Sequence, residues 1–79
     1  MQASGSNILK GKVVKVVEGA VNCEVTLEIA RDMEIVGIIT KAAATLLDLA
    51  EGKTAFAVIK ASDVMFGVDG EEDPGVDGG

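Results

Sequence analysis

Residues 21–29 alternate apolar and polar side chains without exception. Val21, Cys23, Val25, Leu27 and Ile29 are interleaved with Asn22, Glu24, Thr26 and Glu28. Successive side chains of a strand point to opposite faces, so this run is a β-strand with one face inward and one face wet. The pattern also fixes register, because a slip of one residue would put the whole apolar set in water.

The flanking segments supply partners for that strand. Residues 8–18 are rich in Val and Lys and contain no Pro, which suits a strand. Gly11 inside this run marks a bulge or a close approach of backbones. Glu18-Gly19-Ala20 is a turn signal. Arg31-Asp32 makes a hairpin turn, although it lacks the favoured Asn-Gly pair. Residues 33–40 form a third strand and residues 54–60 a fourth. Each is apolar on both faces: Ile35 and Ile39 against Val36 and Ile38, then Phe56 and Val58 against Ala57 and Ile59. Such strands need cover on both sides.

Between them, residues 41–49 change to helical character. Ala42, Ala43 and Ala44 are strong helix formers, Leu46, Leu47 and Leu49 form the expected buried stripe, and Thr40 is placed as N-cap. Glu51-Gly52-Lys53 ends the helix with a glycine turn. Residues 63–68 read as a short fifth strand. The expected fold is therefore mainly β, a small five-stranded OB-like barrel with one short helix between strands 3 and 4. Residues 1–6 form a flexible lead-in and residues 7–68 the domain. Residues 69–79 are an acidic, Gly-rich tail that contains the single proline, Pro74, and is expected to be disordered.

The chain has 79 residues, 48% of them hydrophobic, yet only two Phe and no Trp or Tyr. A chain this short buries only about 60% of its unfolded surface. Cys23 is the sole cysteine and there is no His, which removes a disulfide framework and argues against structural zinc. Oligomerisation is the remaining common remedy, and the two-faced strands point the same way. The net charge of -6 belongs to the tail: residues 1–68 hold eight acids against seven bases. With no basic surplus, binding to nucleic-acid phosphates is not expected. No apolar run approaches a membrane span or a signal core, so the expected location is the cytoplasm, with no membrane partner.

Two strand ends carry the chemistry. Ile38-Ile39-Thr40-Lys41 and Val58-Ile59-Lys60-Ala61-Ser62 each run from β-branched residues into a hydroxyl and an ammonium. If Thr40 caps a helix, the backbone N–H groups near Lys41 to Ala43 are free to point at an anion. Lys60 adds a positive charge, and the Ala61 amide donates without side-chain bulk. The plainer alternative leaves Thr40 as a cap and Lys60 as a solvated strand end. No enzyme constellation is present: there is no His base and no Gly-rich phosphate loop. Cys23, on the apolar face, reads as a small core residue rather than a reactive thiol. Lys10, Lys12 and Lys15 read as a solvated face rather than a ligand patch. Asp69-Gly70-Glu71-Glu72-Asp73 lacks EF-hand spacing.

Taken with Asn7-Ile8-Leu9-Lys10-Gly11 and Gly19-Ala20-Val21-Asn22-Cys23-Glu24-Val25, the two strand ends form an ordered series of four segments. Over residues 4–67 this series resembles the molbindin (Mop) family of TOBE-type domains. The resemblance implies a non-enzymatic protein that binds molybdate or tungstate at subunit interfaces for intracellular storage, with no covalently bound cofactor. It also implies a homo-hexamer arranged as a trimer of dimers. The implied oxyanion-binding positions are Ser4, Gly5, Ser6, Thr40, Ala43, Lys60 and Ala61.

The chain departs from the family pattern twice. Ser6 stands where the family usually has arginine, and Ala43 where it often has a hydroxyl. One bidentate cation and one hydroxyl donor are thus missing, each worth about 1.5–3 kcal/mol. Two readings remain open at this point: an oxyanion carrier, or the same oligomeric barrel used as an assembly or interaction module with weakened or lost binding. A single-strand nucleic-acid binder is a third class. That mode wants stacking aromatics in a basic groove, and this chain offers only Phe56 and Phe66.

Overall fold

The structure, a computed structural model, describes residues 5–69. Ser4 and residues 70–79 of the expected tail lie outside the described residues. The elements run β1 (Ser6–Glu18), β2 (Asn22–Ala30), β3 (Met33–Thr40), α1 (Lys41–Leu46), β4 (Thr54–Lys60) and a 3-10 turn (Ala61–Asp63). They form one antiparallel sheet in the order β3-β2-β1-β4.

The long first strand organises the sheet. Its first half pairs with β4, from Ser6 opposite Lys60 to Lys12 opposite Thr54. Its second half pairs with β2, from Lys12 opposite Glu28 to Glu18 opposite Cys23. The transfer occurs at a bulge where the register shifts between Val13 and Lys15. There Val13 N–H donates to Lys53 O at 2.8 Å, and Gly52 N–H donates to Val13 O at 2.7 Å. A bulge strengthens local twist, and here it curls the sheet. Gly11 stands just before it and is a close approach: a Cβ there would overlap Glu28 O and lie 2.9 Å from the Glu28 carbonyl carbon.

The β2–β3 hairpin turns without Asn-Gly because Asp32 takes the left-handed conformation (φ 59°), which a short polar side chain tolerates. The register shift between Glu28 and Ala30 absorbs the extra residue. The inward face of β2 holds Cys23 and Leu27, at 1% and 5% exposure. The alternation read in residues 21–29 holds at these two positions, whereas Thr26, on the face expected to be wet, is buried at 7% and Val21, on the face expected to be inward, is 70% exposed.

Three expectations are corrected. First, residues 63–68 do not form a fifth strand. Ala61 N–H donates to Gly5 O, and Val64 N–H to Ala61 O, so the chain turns after β4 and leaves the sheet. Second, the barrel is not closed: β3 and β4 are the two edges of an open, curled, four-stranded sheet. Third, α1 ends at Leu46, and its leucines are not a buried stripe. Leu46 is 85% exposed and Leu47 57%, Leu49 beyond the helix is half-buried, and Ala44 makes the buried contact. The helix stops early because Asp48 turns left-handed (φ 55°), a C-terminal position usually given to glycine.

Lys53 holds that turn. Its Nζ donates to Leu47 O at 2.9 Å and Asp48 O at 3.1 Å, with an Asp48 carboxylate oxygen 3.7 Å away. Cations at a helix C-terminus satisfy carbonyls that no amide reaches. Lys53→Met is expected to cost about 1 kcal/mol, lowering the melting temperature by roughly 4–8 °C. Thermal unfolding at fixed protein concentration checks this.

A single copy leaves much apolar surface in water. Val13, Cys23, Leu27 and Ala44 are its buried hydrophobic residues, whereas Ile38, Phe56 and Val58 are each more than 60% exposed.

Candidate functional site

The residues singled out in the sequence fall at two corners of the sheet. At the first, β1 begins beside the end of β4, and Ser6 lies opposite Lys60. Ala61 N–H donates to Gly5 O at 2.8 Å, and Asn7 Nδ2 reaches Ile59 O at 3.4 Å. Gly5 has φ 73°, and a Cβ there would meet nothing within 4 Å, so glycine is favoured by backbone conformation and not by crowding. This corner gathers Gly5, Ser6, Lys60 and Ala61. Lys60 is exposed and, among the described residues, has no carboxylate partner.

At the second corner β3 runs into α1. Thr40 is the N-cap, as its position in the sequence suggests, with extended backbone (φ −70°, ψ 154°) and Oγ1 accepting from Ala43 N–H at 3.0 Å. A hydroxyl that accepts one bond still has its own proton to donate. Lys41 N–H donates to Val21 O at 2.8 Å.

These contacts correct the expected donor set. The amides of Lys41 and Ala43 are not free: one is taken by the β1–β2 connection and the other by the cap. The Ala61 amide is likewise engaged by Gly5. The partners Gly5 O and Val21 O were missed because sequence shows side chains, whereas these acceptors are carbonyls brought in by topology. The glycine directly before a strand was the one available signal.

The two corners are far apart within one chain. Thr40 lies opposite Asn22, beside the C-terminal end of β1, whereas Lys60 lies opposite the N-terminal end. They also sit on the two outer strands. β1 between them has 13 residues, a contour of about 40 Å at roughly 3.3 Å per residue. One copy therefore holds a hydroxyl corner and an ammonium corner at opposite ends of β1.

Among the described residues, no group of three or more His, Cys, Asp or Glu side chains could hold a metal ion, and no helix is long and apolar enough to cross a membrane. Lys10, Lys12 and Lys15 are all exposed. Cys23 is buried.

Residues 3–66 match the TOBE domain family. The chain is 42% identical over 69 residues to a probable molybdenum-pterin-binding protein of Haemophilus influenzae, covering 87% of this chain and all of that protein. It is 45% identical over 65 residues to molybdenum-pterin-binding protein 1 of Clostridium pasteurianum, covering 82% and 96%. Among solved structures, MopII from Clostridium pasteurianum in an apo form superposes with a TM-score of 0.75 at 43% identity, over 82% of this chain and 97% of that one. The cytoplasmic molybdate-binding protein ModG, with molybdate bound, superposes with a TM-score of 0.76 at 46% identity. That match covers 82% of this chain and 46% of ModG.

Proposed function

We propose, from the premise that this chain belongs to the TOBE-domain family and to its Mop-like, molbindin branch, that it binds molybdate without converting it, at sites completed between copies. The observation that carries this reading is the separation of the hydroxyl corner at Thr40 from the ammonium corner at Ser6, Lys60 and Ala61. A tetrahedral dianion needs donors on several sides. A second copy can bring the missing half to each corner, and charge-assisted hydrogen bonds then hold the oxyanion. Ligand binding and assembly reinforce one another in such an arrangement.

The exposed apolar surface supports a homo-oligomer, and family membership supports a hexamer built as a trimer of dimers. Storage or buffering in the cytoplasm is the role in this reading, with tungstate as an alternative ligand. Ser4, Gly5 and Ala43 belong to the proposed site by their positions in the family pattern.

Titration calorimetry with molybdate, with sulfate as control and the oligomer mass measured in the same buffer, tests the proposal. Saturable binding weakened by Thr40→Ala supports it. An intact oligomer that gives no heat with molybdate or tungstate rules it out. That outcome would favour the second reading, an assembly module without a ligand, to which the engaged amides of Ala43 and Ala61 lend support.

The position of Ser6 gives a further test. It stands opposite Lys60, at the position where the family resemblance implies an arginine, so Ser6→Arg is expected to tighten molybdate binding roughly 10- to 100-fold, as one added charge-assisted contact would. The same titration reads this out.

A further inference from the structure

We propose that Lys10, Lys12 and Lys15, on the outer face of β1, form a docking strip for the acidic residues 69–73 of the same chain.

The strip is made by the bulge. Lys10 and Lys12 are two residues apart and so share a face of β1. Lys15 has the other parity, and in an unbroken strand it would point inward with Val13, which is 0% exposed. The register shift between Val13 and Lys15 adds a residue and turns Lys15 back outward. The pairing agrees: Lys12 stands opposite Glu28 and Lys15 opposite Thr26, on the face of β2 away from Cys23 and Leu27. The three ammonium groups thus lie in line over about 16 Å. All three residues are exposed, and among the described residues none has a carboxylate within ion-pair distance.

The strip is open on one side only. Glu24 and Glu28 border it on β2. On β4 its neighbours are uncharged: Phe56 opposite Lys10 and Thr54 opposite Lys12. Phe56 is 62% exposed and leaves room above the sheet. An acidic occupant is therefore repelled from the β2 side and admitted on the β4 side.

The acidic segment fits in charge, spacing and reach. Asp69, Glu71, Glu72 and Asp73 have no Lys or Arg among them, and they follow the family match, which ends at residue 66. In an extended chain Asp69, Glu71 and Asp73 recur about 7 Å apart, which is also the spacing of Lys10 and Lys12. The Ala61 N–H to Gly5 O bond holds the exit of β4 at the start of β1. From Ser6, Lys10 is about 13 Å along the strand and Lys15 about 30 Å. From Ala61, the contour to Asp69 is about 26 Å and to Asp73 about 40 Å. Complementary charge of this kind sets register and excludes competitors more than it adds affinity. A docked segment cancels the strip and denies it to outside polyanions.

Carbodiimide coupling on the full chain tests this, because it joins an ammonium to a carboxylate only where they touch. Peptide mapping at low salt should find residues 69–73 joined to Lys10, Lys12 or Lys15. The Lys53 and Asp48 pair, 3.7 Å apart, is the internal control. The tail product should fall at least fivefold in 1 M NaCl, where the screening length is about 3 Å. A second measurement uses heparin as the polyanion. Neutralising the segment (Asp69→Asn, Glu71→Gln, Glu72→Gln, Asp73→Asn) should raise the salt needed for elution, and adding Lys10→Gln, Lys12→Gln and Lys15→Gln should remove that gain. A gain that survives the lysine changes overturns the strip. So does tail coupling spread evenly over Lys41, Lys53 and Lys60, or its absence while the control product forms. In mixed labelled and unlabelled protein, tail products found only between copies overturn docking of the segment on its own strand.

Discussion

Lys60→Met is expected to weaken molybdate binding by roughly one to two orders of magnitude while leaving the oligomer mass unchanged. The residue ends β4 opposite Ser6, is exposed, and has no carboxylate partner among the described residues. Nothing in the fold therefore depends on its charge. A hydrogen bond to a charged group contributes about 1.5–3 kcal/mol, which is about a 10- to 150-fold change in affinity. The methionine keeps the aliphatic stem and removes only the ammonium. Calorimetry with molybdate measures the loss, and sedimentation shows whether assembly survives. Unchanged affinity would remove Lys60 from the site and shift the burden to the Thr40 hydroxyl. A collapse of the oligomer would show instead that the ammonium is needed for assembly.

Gly11→Val is expected to be the most damaging substitution in the sheet. A Cβ at this position would overlap Glu28 O and crowd Ile29 Cα at 3.1 Å. Both neighbours are backbone of β2, so no side-chain rotation relieves them. Relief requires moving β1 away from β2 just before the Val13 bulge, where the sheet curls. Overpacking costs typically about 1–3 kcal/mol and more when backbone must shift. For a domain of this size about 3 kcal/mol corresponds to a fall in melting temperature of roughly 12–24 °C. Thermal unfolding at matched concentration measures it. A loss below about 1 kcal/mol would mean that the two strands separate more easily than their spacing suggests.

Much of the sheet was legible because its information is local. Alternation in residues 21–29 identified β2 and placed Cys23 and Leu27 in the core, although Thr26 on the opposite face is buried as well. Thr40 could be recognised as a cap because a hydroxyl at the end of an apolar strand, two residues ahead of three alanines, is well placed to cap the helix they start. The errors share one physical origin, which is that the missing information lay in other segments. Residues 63–68 are composed like a strand, but a strand exists only against a neighbour, and Gly5 O draws the chain away at Ala61. Leu46, Leu47 and Leu49 are composed like a core stripe, but the left-handed Asp48 ends the helix early, and only Leu49, past that turn, is half-buried. The amides of Lys41, Ala43 and Ala61 look free in the sequence because their acceptors, Val21 O, Thr40 Oγ1 and Gly5 O, become visible only once the sheet is assembled.

The two-part pairing of β1 also sets an order of events in time. Its contacts with β2, and those of β2 with β3, join neighbouring segments and close short loops. Its contacts with β4 join Ser6 to Lys60, and the Asn7 side chain reaches across 52 residues to Ile59. Loop-closure entropy delays such distant pairing until the local hairpins already hold. During synthesis the first half of β1 must therefore wait, unpaired, until residue 60 has emerged. The corner that gathers Gly5, Ser6, Lys60 and Ala61 is the last part of the sheet to form, so a chain that has acquired this corner has already completed its fold.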